Sequence, residues 1–288
     1  RAAGYTGVWM TDHADMEIHY PLWGARVGIR RHSLKESGFH RYLVALARAQ
    51  AQHPDMVVIP GFEANPYYFW TGRPFSREVI NWQWRRHMIV AGIEDERTFH
   101  ALPMMGNRQA PYPPGFSDAG EAPFQRFAEA ITAAGGLLFW AHPFQPEREH
   151  IFDHVYSMIR PYNDALLTVP NSQGTGVSRP DDSILRPGGI WDQALAAYVR
   201  GARPALPGVS FELDYHQGTF HPRATLHLWI PADLTDPAAR KRACLDALRA
   251  GRYYATSAPP DALVLEECVL TAGDAAAAPG ERLPAAGP

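Results

Sequence analysis

The stretch "GLLFWAH" at residues 136–142 runs from an uninterrupted apolar segment directly into a histidine. A continuous apolar run of this length is typical of a parallel strand that is covered on both faces. In α/β folds the residue after such a strand lies at the carboxyl edge of the sheet, where these folds collect their chemistry. The segment therefore predicts a buried strand that ends at His142, a candidate metal ligand or base. The alternative is a loop histidine that only satisfies its own hydrogen bonds.

Strand-like and helix-like segments alternate along the rest of the chain. Apolar residues spaced three to four positions apart predict helices, and short apolar runs between them predict strands. Strand followed by helix, repeated, favours an α/β fold with a parallel sheet or barrel and helices outside. The predicted strands are residues 8–12, 56–62, 87–93, 136–141, 165–169, 206–213 and 225–230, and the predicted helices are residues 39–52, 121–135, 190–202 and 236–251.

The remaining segments predict the domain organisation. Residues 94–120 are rich in Pro and Gly and predict a long loop or insertion of the kind that forms lids or substrate walls. Residues 262–270 predict a further strand, and the Ala-rich residues that follow predict a tail or linker. We therefore expect one domain over residues 1–258 and the start of a β region, or a linker tail, over residues 259–288. The chain opens without Met or a signal peptide, which we interpret as an internal point of a longer protein.

Composition narrows the class of partner. The chain is 46% hydrophobic and 20% charged, an ordinary mixture for a globular protein. A formal net charge of -3 without a basic block argues against nucleic acid or an anionic membrane surface as the main partner. No apolar run approaches the roughly 20 residues of a membrane-spanning helix, and two cysteines, Cys244 and Cys268, are too few for a disulfide framework. A small-molecule substrate is the expected partner, while oligomeric state and compartment stay open.

Histidines and acidic residues follow or open most of the predicted strands, and barrel enzymes collect their functional residues from the ends of several strands. Imidazole and carboxylate groups without thiols suit Zn, Mn or Fe, and several carboxylates among imidazoles suggest metals that share a bridging ligand. The D-x-H spacing of the last pair sends both side chains to one face, because an extended backbone repeats every two residues. The candidates are Asp12, His13, Glu63, His87, His142, Asp214 and His216.

This set of residues predicts a metal-dependent hydrolase. Adjacent cations lower the pKa of a bound water, hold it as hydroxide, and neutralise the oxygens of an attacked phosphate or carbonyl. The sequence contains no G-x-S-x-G, no Walker A motif and no G-x-G-x-x-G that opens a helix after a strand. Acyl-enzyme and nucleotide-cradle interpretations therefore lack support.

The order and content of these motifs resemble the PHP family, named for polymerase and histidinol phosphatase domains, which are distorted seven-stranded (β/α) barrels of metal-dependent phosphoesterases. The matching stretches span residues 8 to about 281, and the later ones resemble a carbaryl-hydrolase-like subgroup in which a β region follows the barrel. The resemblance is carried by "GVWMTDH", "VVIPGFE", "RRHMIVAGI", "GGLLFWAHP", "GVSFELDYHQG" and "ALRAGRYYATSAP".

The resemblance implies a distorted (β/α)7 barrel, without its first strand in this segment, that hydrolyses phosphoesters, carbamates or carboxylic esters. It further implies two or three divalent ions (Zn, Mn or Fe) in the intact parent. One ion would be held by Glu63, His87 and His142, a second by Glu63 and Asp214, and a third by His13 and His216. The family's first H-x-H motif has no counterpart here, so a catalytically silent scaffold or sensor is the alternative.

Two further residues, Asp12 and Arg252, are candidates for a catalytic role. Asp12 is expected to orient His13 from behind. Arg252 follows Gly251, and it is either a cation at a helix end or a contact for an anionic substrate. The aromatic-rich residues 65–75 are expected mostly to pack in the core, with one or two rings forming a substrate wall.

Overall fold

A computed structural model describes residues 3–22, 25–30, 32–73, 79–104, 111–113, 115–141, 148–152, 155–158, 165–177, 186–213 and 224–283. Within these residues the chain is a mixed α/β structure built on a curled six-stranded sheet. Among the described residues, no helix combines the length and the apolar character that crossing a lipid bilayer requires.

The strands are β1 (Gly7–Met10), β2 (Glu17–Leu22), β3 (Ala25–Arg30), β4 (Val57–Ala64), β5 (Phe69–Thr71), β6 (Val79–Trp82), β7 (Met88–Ala91), β8 (Leu137–Trp140), β9 (Arg148–Phe152), β10 (Val155–Met158), β11 (Gly174–Val177), β12 (Gly208–Phe211), β13 (Thr225–Leu228), β14 (Tyr253–Thr256), β15 (Leu270–Ala272) and β16 (Ala275–Ala277). The helices are α1 (Leu34–Ser37), α2 (Phe39–Gln52), α3 (Glu96–Ala101), α4 (Ala122–Ala133), α5 (Ala165–Thr168), α6 (Ile190–Val199) and α7 (Pro237–Ala250).

The main sheet has the order β1-β4-β7-β8-β11-β12, and one of its strands runs against the others. β7 is antiparallel to both of its neighbours, whereas the other adjacent pairs are parallel. The prediction of a parallel sheet is therefore wrong at β7. A parallel neighbour needs a crossover connection, usually a helix, but the chain between β4 and β7 forms β5 and β6 instead. As a result, the first residue of β7 lies at the carboxyl edge of β4 and β8.

The two faces of the main sheet bury different clusters. Phe62 of β4 faces α2 and α3, where the rings of Phe39 and Phe99 stack at 4.1 Å. Ile59 of the same strand faces the other way and packs with Phe139 of β8 and with α7. Because successive strand residues alternate between faces, Glu63 projects on the face of Ile59 rather than toward α2.

Smaller β units surround the main sheet. A second sheet has the order β5-β6-β10-β9, and β2 pairs with β3 in a hairpin. The hairpin packs on the second sheet, since Ile18 clusters with Trp70 and the indole of Trp70 donates to the carbonyl of His19 at 2.7 Å. Neither unit was expected. β2 and β3 do alternate apolar and polar residues as half-buried strands do, but both are short and Pro21 interrupts the pattern of β2.

Most predicted elements are found and three are wrong. Helices α2, α4, α6 and α7 confirm the four predicted helices within about three residues. Residues 165–169 are not a strand but contain α5, residues 262–269 form no strand, and the predicted loop at 94–120 contains α3. Residues 225–228 do form β13, but it pairs with β14 outside the main sheet. The domain division at residue 258 stays a prediction.

The sequence did not predict β11 (Gly174–Val177), and the packing of its glycines explains why. β11 reads Gly-Thr-Gly-Val and carries little apolar signal. Both glycines are required by packing: a Cβ on Gly174 would overlap the backbone of Gly208, and one on Gly176 would overlap the side chain of Glu212. The Ala- and Leu-rich stretch just before it, Ala165–Thr168, satisfied the apolar pattern of a strand but consists largely of good helix formers.

Candidate metal site

Three of the predicted ligands meet at the carboxyl edge of the main sheet. His13, Glu63 and His87 each present one ligand atom, and these atoms all lie within 4.8 Å of one another. The two carboxylate oxygens of Glu63 face different imidazoles: Oε2 lies 3.4 Å from His13 Nδ1, and Oε1 lies 2.5 Å from His87 Nδ1. We call these three residues the His-Glu-His cluster.

Backbone pairing places His13 beside Glu63. β1 and β4 are parallel, and the same register continues past β1 to a bridge between His13 and Glu63. The amide of Glu63 donates to the carbonyl of Asp12 at 3.0 Å, and the amide of Ala14 donates to the carbonyl of Glu63 at 2.7 Å. Directly opposed residues share a face of the sheet, so the two side chains project together.

The reversed strand places His87 in the same cluster. His87 immediately precedes β7, and the amide of Ala141 donates to its carbonyl at 3.1 Å. Ala64 of β4 pairs with Met88 on the other side. The backbone around His87 is thus fixed by β4 and by the end of β8. In a parallel strand a residue at this position would lie at the opposite edge of the sheet.

A glycine and a tryptophan form the floor beneath Glu63. Gly61 lies two residues before Glu63 on the same face, and a Cβ there would overlap both Trp9 Nε1 and the carbonyl oxygen of Val90. The indole of Trp9 packs edge-on against Phe139 with ring centroids 5.6 Å apart. Gly61 therefore lets an aromatic ring close the space under the cluster.

We expect Gly61→Ala to destabilise the fold by about 2–3 kcal/mol. The added methyl would also meet the carbonyl oxygen of Met10 at 2.9 Å, and strand carbonyls cannot move aside independently. Urea unfolding of the purified variant measures the change. Gly115→Ala is the control, since its nearest neighbours lie at 3.4 Å or more. Equal midpoints for the two variants would contradict the packing of Trp9 over Gly61.

The residue types and spacing of the cluster fit a divalent cation. Glu63 is only 7% exposed, and a buried carboxylate needs cationic or hydrogen-bonding partners. Two ligand atoms bound about 2.0–2.2 Å from a tetrahedral Zn ion lie about 3.3 Å apart, close to the 3.4 Å between His13 Nδ1 and Glu63 Oε2. His87 Nδ1 and Glu63 Oε1 lie closer together, at 2.5 Å, and this contact would lengthen when both groups bind a cation.

Asp12 is not turned toward the cluster. Its side chain is exposed, and successive residues of an extended chain project to opposite sides, so Asp12 points away from His13. Burial, and secondarily the charge of Asp12, raises the pKa of the Tyr42 hydroxyl on the helix side of the sheet. That hydroxyl donates to the carbonyls of Met10 and Gly61 at 3.1 and 2.9 Å. The structure thus places Asp12 near Tyr42.

Arg252 lies at the opposite edge of the sheet from the cluster. It follows Gly251, the left-handed C-cap of α7, and its amide donates to the carbonyl of Ala247 at 2.9 Å. Its side chain packs beside Gly280, which lines a cavity of about 500 Å³ where β8 and β12 begin. None of the three cluster residues lines this cavity. The amino edge of α/β folds contributes to stability rather than to catalysis.

The other predicted ligands, His142, Asp214 and His216, lie outside the described residues. The interpretation of residues 65–75 as core packing is confirmed for four rings, which are at most 5% exposed: Tyr67, Tyr68, Phe69 and Trp70. Phe75 lies outside the described residues.

One residue beside the cluster was missed by sequence reasoning. Arg86 is 1% exposed, and its two terminal nitrogens each lie 2.6 Å from a carboxylate oxygen of Glu121. Its guanidinium lies over the rings of Phe124 and Trp140, at 4.2 and 4.6 Å from their centroids. An isolated arginine before a predicted strand gives no sequence signal for such burial.

Comparison with protein-family models gave no match, and comparison with curated proteins gave no significant match.

Proposed function

We propose that the protein is a metal-dependent hydrolase of the PHP type, acting on a phosphoester, a carbamate or a carboxylic ester. The observation that carries the proposal is the convergence of His13, Glu63 and His87 within 4.8 Å at the carboxyl edge of the sheet. In barrel enzymes this edge holds the catalytic residues. The curled sheet is compatible with part of the distorted (β/α)7 barrel that the resemblance implies.

The chain's own residues define what the site can do. When bound, a divalent cation would lower the pKa of a coordinated water and offset negative charge on an attacked ester. Glu63 presents one oxygen to His13 and the other to His87, so these three residues would hold a divalent cation together. The imidazole and carboxylate donors suit Zn, Mn or Fe.

The aromatic residues beneath Glu63 also support a catalytic role for this edge of the sheet. Trp9 and Phe139 pack against each other beneath the carboxylate and surround it with apolar atoms on that side. Electrostatic interactions strengthen where the surroundings are apolar. A charge that develops on a substrate above Glu63 would accordingly be stabilised more by a bound cation than it would be in bulk water.

Metal analysis combined with hydrolysis assays tests the proposal. We expect the purified chain to retain at least one Zn, Mn or Fe ion and to hydrolyse aryl phosphates or aryl esters. A chelator should abolish that activity, and the cognate metal should restore it. His87→Ala should lower both metal content and rate, while His100→Ala, a change in a half-exposed histidine of α3, should lower neither. Absence of bound metal would refute the hydrolase, and bound metal without any hydrolysis would instead favour the scaffold or sensor alternative.

A further inference from the structure

Asn65 lies on the same face as the His-Glu-His cluster. It comes two residues after Glu63, and the pairing of Glu63 with Ile89 and of Ala64 with Met88 sets the register between β4 and β7. Continued by one residue, this register puts Asn65 directly across from His87. Opposed residues of an antiparallel pair share a face and have Cβ atoms about 5 Å apart. Asn65 is thus a neighbour of both Glu63 and His87.

The orientation of the Asn65 amide is fixed by the turn before β7. Its Nδ2 donates to the carbonyl of Gln83 at 3.1 Å. The reversed amide would set two oxygens against each other, since a carbonyl cannot donate. Gln83 itself has a φ of 69°, an uncommon value for a residue with a side chain, and its carbonyl also accepts from the amide of Arg86 at 3.0 Å. Asn65 therefore holds a strained turn in place.

The second polar atom of the same amide has no such partner. Asn65 is 7% exposed, and within the described part of the chain its Oδ1 is buried without a hydrogen bond. Leaving a buried carbonyl unpaired costs free energy, and most buried polar atoms in proteins avoid it. A residue that neighbours an imidazole and a carboxylate in this register can supply its amide oxygen to a cation, because side-chain carbonyl oxygens are ligands of hard divalent ions.

We propose that Asn65 Oδ1 is a further protein ligand of the cation held by Glu63 and His87. The inference rests on the proposed function, since it requires a metal at the cluster. A neutral oxygen ligand added to a nitrogen and a carboxylate moves the donor set toward Mn²⁺, because carbonyl and carboxylate oxygens suit that ion. The same amide thereby joins the metal site to the turn that positions His87.

Titration of the metal-free protein with Mn²⁺ by calorimetry tests the role of Asn65. We expect Asn65→Ala to weaken Mn²⁺ binding on the order of 10- to 100-fold. Asn65→Asp keeps an oxygen ligand but sets a carboxylate against the carbonyl of Gln83. It should therefore retain Mn²⁺ affinity within a few-fold of the unmodified protein while lowering the melting temperature of the metal-free protein. Gln173→Glu, a buried amide-to-acid change at the amino edge, is the control that lowers stability without changing affinity.

The outcomes separate this inference from the proposed function. If the unmodified chain binds no divalent metal, both fail together. If it binds Mn²⁺ and Asn65→Ala binds equally well, only the role of Asn65 is overturned. A purely structural role is shown if Asn65→Asp loses as much affinity as Asn65→Ala. Asn65→Ser replaces the alanine variant should the latter not fold, and it carries the same expectation.

Discussion

Replacement of Glu63 by Gln is expected to weaken divalent metal binding by at least about 100-fold and to abolish measurable hydrolysis. Glu63 supplies the only carboxylate of the His-Glu-His cluster, and both of its oxygens face an imidazole. Loss of a partner outside the ligand shell already costs about 10- to 100-fold in affinity, so loss of a charged ligand should cost more. The Gln side chain keeps the size of the residue, and the fold should therefore persist.

Calorimetric titration and metal analysis of the purified variant measure the effect on binding. Glu94→Gln is the matched control, because Glu94 follows the end of the reversed strand at the other edge and pairs with Lys241 at 2.7 Å. Surface ion pairs of this kind contribute about 0–1 kcal/mol, so this variant should match the unmodified protein in metal content. Retention of tight metal binding by Glu63→Gln would remove the cluster as the metal site.

The predicted parallel strands were sufficient to place His13 and Glu63 at one edge of the sheet, although the resemblance assigned the two residues to different ions. Both follow short apolar runs, and parallel strands bring their carboxyl ends to one edge. His87 joins them because β7 runs in the opposite direction, and the pattern of apolar residues does not reveal the direction of a strand. A histidine that opens a parallel strand would lie at the far edge, and only the reversal of β7 brings it to Glu63. The direction of a strand depends on its connection, and apolar periodicity is the same in either direction.

The elements that sequence reasoning missed are those in which packing replaces the local signal. β11 is glycine-rich because neighbouring atoms occupy the space of two side chains, so its residues lack the apolar pattern of a strand. Gly61 shows the same effect inside a predicted strand, where Trp9 takes the place of a side chain. The partner of each glycine is distant in sequence, and one sequence alone cannot identify it.

Arg86→Ala is expected to destabilise the fold by about 3–5 kcal/mol. The substitution removes two short hydrogen bonds to Glu121, the contacts of the guanidinium with Phe124 and Trp140, and the volume that a fully buried side chain fills. Glu121 stands at the start of α4, where a negative charge is favoured by the helix dipole. Arg86 thus ties the start of α4 to the segment that carries His87. Metal affinity should fall as well, though less than in Glu63→Gln.

A second variant separates the charge of Arg86 from its packing. Arg86→Met fills most of the slot between Phe124 and Trp140, and it leaves Glu121, which is 40% exposed, free to be hydrated. Its cost should be about 1–2 kcal/mol, because apolar replacement of a buried charge is often nearly neutral once the partner reaches water. Arg249→Ala removes an exposed arginine that bonds Asp246, and it should cost less than about 1 kcal/mol. Urea midpoints measure all three variants. If Arg86→Ala cost no more than Arg249→Ala, Arg86 would not anchor the edge of the sheet that carries His87.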